Sequence, residues 1–325
     1  MRRTGPLLWA VGMITLVFCV NGCTAAGGGE SSGADLCDES TNTPTVTDAA
    51  SRPLAFTSDR SGSLDLWLMG TDGSNPIQLT TGPGLEAMAS WSPDGTRILF
   101  VSAVSQDSQS DICVVNADGT GMQNLTDTPD AAEAAPNWSP NGTSIVYGRW
   151  SGDVSQIHRM DVDGGRNQLI SANGEWPSWS PNGKQIVFVA KRGTPGPELW
   201  VMNADGGDQA ILTESDGEPT EPSWSPDGDA IAFVAPSGDS HASDPVQWNE
   251  DIFVMPAEGG PARQIVTSKG NDHWPPAWSP DGTQLAYTAD GTENRGTIMV
   301  VDRETLEVTK LTDGESHDMY PAWRH

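Results

Sequence analysis

One five-residue word, Trp-Ser-Pro-(Asp/Asn)-Gly, occurs five times in the chain, starting at Trp91, Trp138, Trp179, Trp224 and Trp278. A sixth tryptophan, Trp323, follows Pro321 and Ala322 just before the chain ends. The spacings between these six tryptophans are 47, 41, 45, 54 and 45 residues. Self-similarity at that period marks a supersecondary unit that buries its apolar face only against copies of itself. No other feature of the 325 residues constrains the fold so strongly.

Each copy is followed by the same grammar. After the glycine comes an apolar, β-rich run: Ile98 to Val101, Ile145 to Tyr147, Ile186 to Val189, Ile231 to Val234, and Leu285 to Tyr287. A polar loop leads to a second run, as in Asp111 to Val115 or Glu198 to Met202. A turn follows at Asp118-Gly119, Asp163-Gly164, Asp205-Gly206 or Glu258-Gly259, and a short run such as Gln123 to Thr126 or Ile211 to Thr213 closes the unit. Ser-Pro-Asp-Gly suits a tight hairpin: proline presets φ, aspartate tolerates the third position and glycine takes a positive φ at the fourth. Four antiparallel strands per unit form a blade, and such blades stack radially into a propeller. No stretch holds a 3.6-residue apolar period, so few helices are expected.

The two ends supply the blade count. Leu54 to Thr57, Asp65 to Met69 and Ile77 to Thr80 read as strands two to four of a unit that lacks its first strand, and Tyr320 to Trp323 reads as a first strand without the rest. Joined, they complete a sixth blade. The expected fold is therefore all-β: a six-bladed β-propeller of four-stranded antiparallel blades, closed by pairing of the N- and C-terminal strands. Closure removes the open edges that would otherwise aggregate.

On these motifs the chain resembles the WD40-like propeller repeat of TolB and its relatives, which also occurs in prolyl-oligopeptidase propellers. The resemblance spans residues 53–325. It speaks for fold far more than for function. TolB carries an additional N-terminal α/β domain, where this chain has only residues 24–52.

Residues 1–22 read as an export signal, with Arg2 and Arg3 ahead of a 14-residue apolar run from Leu7 to Val20. That run is too short to span a bilayer. It ends in Val20-Asn21-Gly22-Cys23, which resembles a bacterial lipobox, and the resemblance implies cleavage before Cys23 and lipidation of that cysteine. Residues 23–52 are rich in Gly, Ala, Ser, Thr, Asp and Pro, cannot bury enough surface to fold, and are expected to form a flexible tether reaching about 30 Å. Cys37 lies in this tether and Cys113 in a strand; an exported compartment permits a disulfide between them, and two free thiols are the alternative.

Acidic residues outnumber basic ones 44 to 17, a formal charge of −27. Duplex binding needs basic side chains to displace counterions, so nucleic acid is not an expected partner; a charged partner should be basic or bring cations. There is no GxSxG elbow and no HExxH. Asp161-Val162-Asp163-Gly164 has the start of a calcium loop without its later ligands, and its place in the repeat makes it a hairpin turn. The repeated tryptophans are expected as core between blades.

In propellers of this kind the first strand lines the central channel, so the loops leading into it ring one mouth. Five residues before each tryptophan stand Glu86, Glu133, Gly174, Pro219, His273 and Asp318; where the slot is neutral, Glu175 and Glu221 lie beside it. Trp176, Trp274 and Tyr320 add aromatic rings. These nine residues (Glu86, Glu133, Glu175, Trp176, Glu221, His273, Trp274, Asp318 and Tyr320) are the candidate channel-mouth site. The alternative is that an acidic protein simply places acids on any loop. A long loop over residues 236–249 in the fifth blade, carrying His241, Asp244 and Trp248, is a second candidate, since long loops beside a channel often bind.

The expected function is that of a lipid-anchored, extracytoplasmic binding module: a monomer with no catalytic residues and no cofactor, held to the membrane by its lipid and docking an envelope protein or peptide at its channel mouth. The alternative is a propeller lyase or glycosidase using channel carboxylates, with a divalent cation at the mouth.

Overall fold

A computed structural model describes Cys37 and residues 46–82, 84–104, 109–213, 217–236, 250–267, 273–290 and 295–325. They form six four-stranded antiparallel sheets. Blade 1 joins the two ends of the chain in the order Asp318–Trp323, Leu54–Ser58, Asp65–Met69, Ile77–Gln78. Leu54 pairs with Trp323 and Ser58 with Asp318, and the Arg324 amide donates to the Pro53 carbonyl at 2.7 Å. The ring is thus closed by hydrogen bonds between residues more than 250 positions apart. Blades 2 to 6 begin with the first strands Leu85–Trp91, Ala132–Trp138, Glu175–Trp179, Thr220–Trp224 and His273–Trp278. In each, the chain then passes outward in sequence order to a short outermost strand. The single helical element among the described residues is a 3-10 turn at Ala49–Ser51.

The repeated word folds as its residues dictate. In blade 2 the Gly95 amide donates to the Ser92 carbonyl at 2.8 Å, and Gly95 sits at φ +65. The Asp94 carboxylate accepts from the Ser92 hydroxyl at 2.6 Å and from the Thr96 amide at 3.0 Å. These bonds hold the Asp94 carboxyl down to about 2. Asn141 takes the same two bonds in blade 3, so the carboxamide oxygen serves as well as a carboxylate and the charge is dispensable to the turn. The sequence Asp161 to Gly164 is likewise a hairpin turn, with the Gly164 amide donating to the Asp161 carbonyl at 3.0 Å.

Among the described residues the apolar core divides into seams between neighbouring blades, each holding one of the repeat tryptophans: Trp91, Trp138, Trp179, Trp224, Trp278 and Trp323. Four of these indoles also carry an arginine over the ring: Arg324 on Trp91, Arg97 on Trp138, Arg159 on Trp179 and Arg303 on Trp278, at 4.8 to 5.6 Å. Scarce positive charge is therefore concentrated where it stacks on aromatic faces.

Part of the expected tether lies on the propeller. Cys37 is 3% and Val46 2% exposed, both packed into the seam between blades 1 and 2. Cys37 and Cys113 form a disulfide with Cα atoms 6.4 Å apart, and the Val46 amide donates to the Asp118 carbonyl at 2.8 Å. The low apolar content that suggested a free tether concealed two anchors, one apolar and one covalent. Residues 1–36, with Cys23, lie outside the described residues.

Candidate binding channel

Each first strand is interrupted by a bulge. In blades 2 to 5 the ladder to the second strand skips two residues: Met88 and Ala89, Ala135 and Pro136, Trp176 and Pro177, Glu221 and Pro222. Blade 6 skips Pro275 and Pro276, and blade 1 has its irregularity around Tyr320 and Pro321. In five blades the position two before the tryptophan is proline, which has no amide to give the ladder; blade 2 carries the same bulge with Ala89 there. In blades 1 to 5 the first residue of the bulge adopts a left-handed backbone, with φ between +51 and +57 at Met88, Ala135, Trp176, Glu221 and Tyr320. Non-glycine residues hold such angles at a cost of about 1–3 kcal/mol each. Five of them ring one channel at one structural position.

The bulge re-aims these residues toward the axis. Met88 of blade 2 packs both against the cluster containing Trp176 of blade 4 and against the cluster containing Tyr320 of blade 1, which are not its sequence neighbours. Side chains from several blades thus form a waist. On the side of the waist where the Ser-Pro-(Asp/Asn)-Gly turns lie, a cavity of about 420 Å³ opens. Its walls are the six repeat tryptophans, the bulge residues and prolines that include Pro93, Pro140, Pro181 and Pro226 from the turns. The charged or titratable side chains along it are Glu221, Tyr320 and, at the rim, His325, whose burial lowers its pKa.

Of the nine candidate mouth residues, the structure brings Trp176, Glu221 and Tyr320 together on the cavity wall. Glu86, Glu133 and Asp318 are elsewhere. They lie within first strands, not in the loops before them, and are 4%, 0% and 0% exposed. Glu86 faces Thr80 and Asp65 of the preceding blade, with the Thr80 hydroxyl 3.3 Å from the carboxylate. Burial, then repulsion from Asp65, pushes the Glu86 carboxyl up to about 8. Glu133 accepts from the Thr128 hydroxyl and lies 3.7 Å from Arg149. Burial dominates there too and raises its carboxyl to about 8. Asp318 is paired with Arg60 at 2.7 Å. Glu86 and Glu133 meet side chains of the preceding blade, Asp318 is paired within blade 1, and none of the three forms a solvated acidic mouth. The sequence count of five before the tryptophan located a seam position because the bulge shifts which residues face the channel. Glu175 is half-buried, and burial raises its carboxyl to about 7.

His273 pairs with Ala289 and Trp274 with Thr288 in the blade 6 ladder. Their side chains, and His241, Asp244 and Trp248 of the 236–249 loop, lie outside the described residues. The prolines two before five of the six repeat tryptophans carried the signal for the true lining: Pro136, Pro177, Pro222, Pro276 and Pro321 stand in the sequence at a fixed offset. Among the described residues no three His, Cys, Asp or Glu side chains gather as a metal-ligand set.

The family described as the TolB beta propeller domain matches residues 39–197 and 175–323. The chain belongs to that family. No curated protein matches it. Solved structures are similar in fold at low identity. TolB from Acinetobacter baumannii has a TM-score of 0.71 at 20% identity, over 86% of this chain and 68% of that one. A chain of a nidogen/laminin complex has a TM-score of 0.66 at 10% identity, over 84% of this chain and 98% of that one. An oligogalacturonate lyase from Vibrio parahaemolyticus has a TM-score of 0.56 at 16% identity, over 86% of this chain and 79% of that one. At these identities the likeness is one of fold, and the similar structures include both a chain of a protein complex and an enzyme.

Proposed function

We propose that this TolB-like propeller is an exported, lipid-anchored binding module of the cell envelope, which receives a segment of a partner protein in its central cavity. The observation that carries the reading is the cavity itself: a roughly 420 Å³ chamber walled by tryptophan and proline and held by a strained bulge in blade after blade. Apolar, aromatic walls with few polar groups are the usual chemistry of a recognition site. Proline and tryptophan walls are stiff, so little conformational entropy is lost when a segment enters. The enzyme alternative needs two carboxylates facing one substrate. The close pairs here, Asp65 with Glu86 and Asp111 with Glu133, lie in blade seams outside the cavity wall, which favours binding over catalysis.

Anchoring through Cys23 rests on the lipobox resemblance. The Cys37–Cys113 disulfide supports an oxidising, extracytoplasmic compartment. Among the described residues no helix is long and apolar enough to cross a membrane, so the lipid would supply the attachment.

Peptides selected from a random displayed library against the folded chain test the binding reading. They are expected to change the indole fluorescence, and Trp176→Ala should weaken them by about 1–3 kcal/mol if the ring is an interface anchor. Peptides that all protect the outer strands from labelling and ignore Trp176→Ala would contradict a channel site.

A further inference from the structure

The arginines that stack on indoles are not all engaged alike. Arg159 donates to the Ala204 carbonyl at 3.2 Å and to the Ser144 hydroxyl at 3.0 Å. Arg303 lies 3.9 Å from the Asp227 carboxylate. Arg97 sits over Trp138 at 4.8 Å, yet among the described residues its guanidinium makes no hydrogen bond and no ion pair. Asp94 feels its charge without pairing with it. Arg324 has no polar side-chain partner either, but it belongs to neither cavity wall. Arg97 lines a second hollow, of about 340 Å³, between the turns of blades 2 and 3. Pro93, Trp138 and Pro140 stand in the walls of both this hollow and the central cavity, so the two adjoin.

The repeat shows that the fold does not need arginine at this position. Six residues after the other word tryptophans stand Ser144, Gln185, Ala230 and Gln284. The facing turn carries Asn141 where three of the five copies have aspartate. Asn141 Oδ1 accepts from the Ser139 hydroxyl at 2.8 Å and from the Thr143 amide at 3.1 Å. Its Nδ2 is thereby turned away from those donors and has no acceptor among the described residues. The hollow thus holds a planar fork of N–H donors, stacked by its face and free at its edge, together with a carboxamide donor. Asp94 is the one acid in this wall. A single oxygen of it accepts from the Ser92 hydroxyl and from the Thr96 amide and hydroxyl, so it draws its donors from its own turn and leaves those of Arg97 unused.

Taken with the binding reading on which it rests, we infer that the hollow at Arg97 is a carboxylate subsite of the central cavity: a segment of the partner protein seated between the tryptophans places a carboxylate, from an acidic side chain or its own C-terminus, on the Arg97 guanidinium. Two parallel N–H donors match the two oxygens of a carboxylate, and such charge-assisted pairs are the stronger hydrogen bonds. The net negative charge of the chain repels anions at long range, but that field is screened beyond about 8 Å at physiological ionic strength. Within contact distance the guanidinium and its donors decide. Arg97 is thereby a specificity residue, while the tryptophans and prolines hold the apolar part of the segment.

The test titrates three acetylated tetrapeptides into the full folded chain, followed in NMR by the indole N–H signals and the Arg97 Nε–H signal. They are Pro-Leu-Pro-Gln-amide, Pro-Leu-Pro-Glu-amide and Pro-Leu-Pro-Gln with a free C-terminus. At least one of the two carboxylate peptides should bind about five- to tenfold more tightly than the neutral one; which of them does so tells a side-chain carboxylate from a terminal one. Arg97→Gln, a residue that the repeat itself uses at this position, should erase that preference. Asp94→Asn should widen it, because a like charge is removed and asparagine keeps the turn, as Asn141 does. Should Arg97→Gln fail to fold, the wild-type comparison and Asp94→Asn still decide. Equal affinity for all three peptides, a preference that survives Arg97→Gln, or no shift of the Arg97 signal with either carboxylate would overturn the inference while leaving a cavity that binds apolar segments. If neither these peptides nor any library-selected peptide shifts the indole signals, the binding reading fails with it.

Discussion

Replacing Glu86 by glutamine should stabilise the protein at alkaline pH and do little at acidic pH. Glu86 is buried between blades 1 and 2, and its carboxyl is raised from 4.5 to about 8. A carboxyl whose pKa is raised on folding contributes stability that is complete below pH 4.5 and is lost as pH rises through about 8. At about 1.4 kcal/mol per pH unit, an ionised Glu86 at pH 9 costs at most about 5 kcal/mol. Relaxation of the seam and water entry reduce that figure, so a gain of about 2 kcal/mol for Glu86→Gln is expected at pH 9. At pH 5 the wild-type carboxyl is already protonated, and the amide replaces it with nearly the same shape. Urea unfolding of wild type and variant at pH 5 and pH 9, followed by tryptophan fluorescence, gives the four free energies. Because each comparison is made at one pH, the other titrating groups cancel. A variant that loses the same stability at both pH values would refute the reasoning, since Glu86 would then be an ionised, hydrogen-bonded partner throughout.

Three further perturbations follow from the fold. Cys37→Ser removes a cross-link between residues 76 positions apart and should cost about 4 kcal/mol by loop-closure entropy; a midpoint in urea indistinguishable from wild type would show that the staple does not form in solution. Deleting residues 318–325 removes the innermost strand of blade 1 and should give an aggregating or protease-sensitive product, whereas a soluble chain with one cooperative transition would contradict closure by both ends. Gly95→Ala meets both a positive φ of +65 and the Arg324 side chain, while Gly142→Ala meets only the φ of +68, its nearest neighbour being Pro93 at 3.9 Å. The first should therefore destabilise clearly more than the second, which should cost about 1 kcal/mol; equal losses would mean that Arg324 yields freely.

The fold was legible because a propeller is written redundantly. One word fixed the turn, its glycine and the seam tryptophan in five of the six blades, and the orphan strands at the two ends fixed the closure. The site was less legible for reasons visible in particular residues. Glu86, Glu133 and Asp318 recur at a fixed offset from the tryptophan, which marks a shared structural position. Recurrence cannot say whether that position faces solvent or a seam; the bulge decides it, by turning the residues two and three positions further on to the axis. The proline at Trp−2 announced the bulge, yet its consequence depends on how six strands converge, which no single repeat contains. Trp176, Glu221 and Tyr320 faced the channel because they occupy the bulge, not because they are aromatic or acidic. The packing of Val46 and Cys37 was hidden by their surroundings, since two anchors in an otherwise polar segment leave no periodic pattern.

Site-specific photo-crosslinking in intact cells tests the central claim most directly. A benzophenone side chain at Ala277, on the cavity wall, is compared with one at Val154, which is 50% exposed on blade 3 away from that wall. If the cavity receives a segment of an envelope protein, the Ala277 position gives a discrete adduct that Trp176→Ala diminishes, and the Val154 position gives none. An adduct from Val154 with none from Ala277 would place the partner on the outside of the propeller and contradict the account.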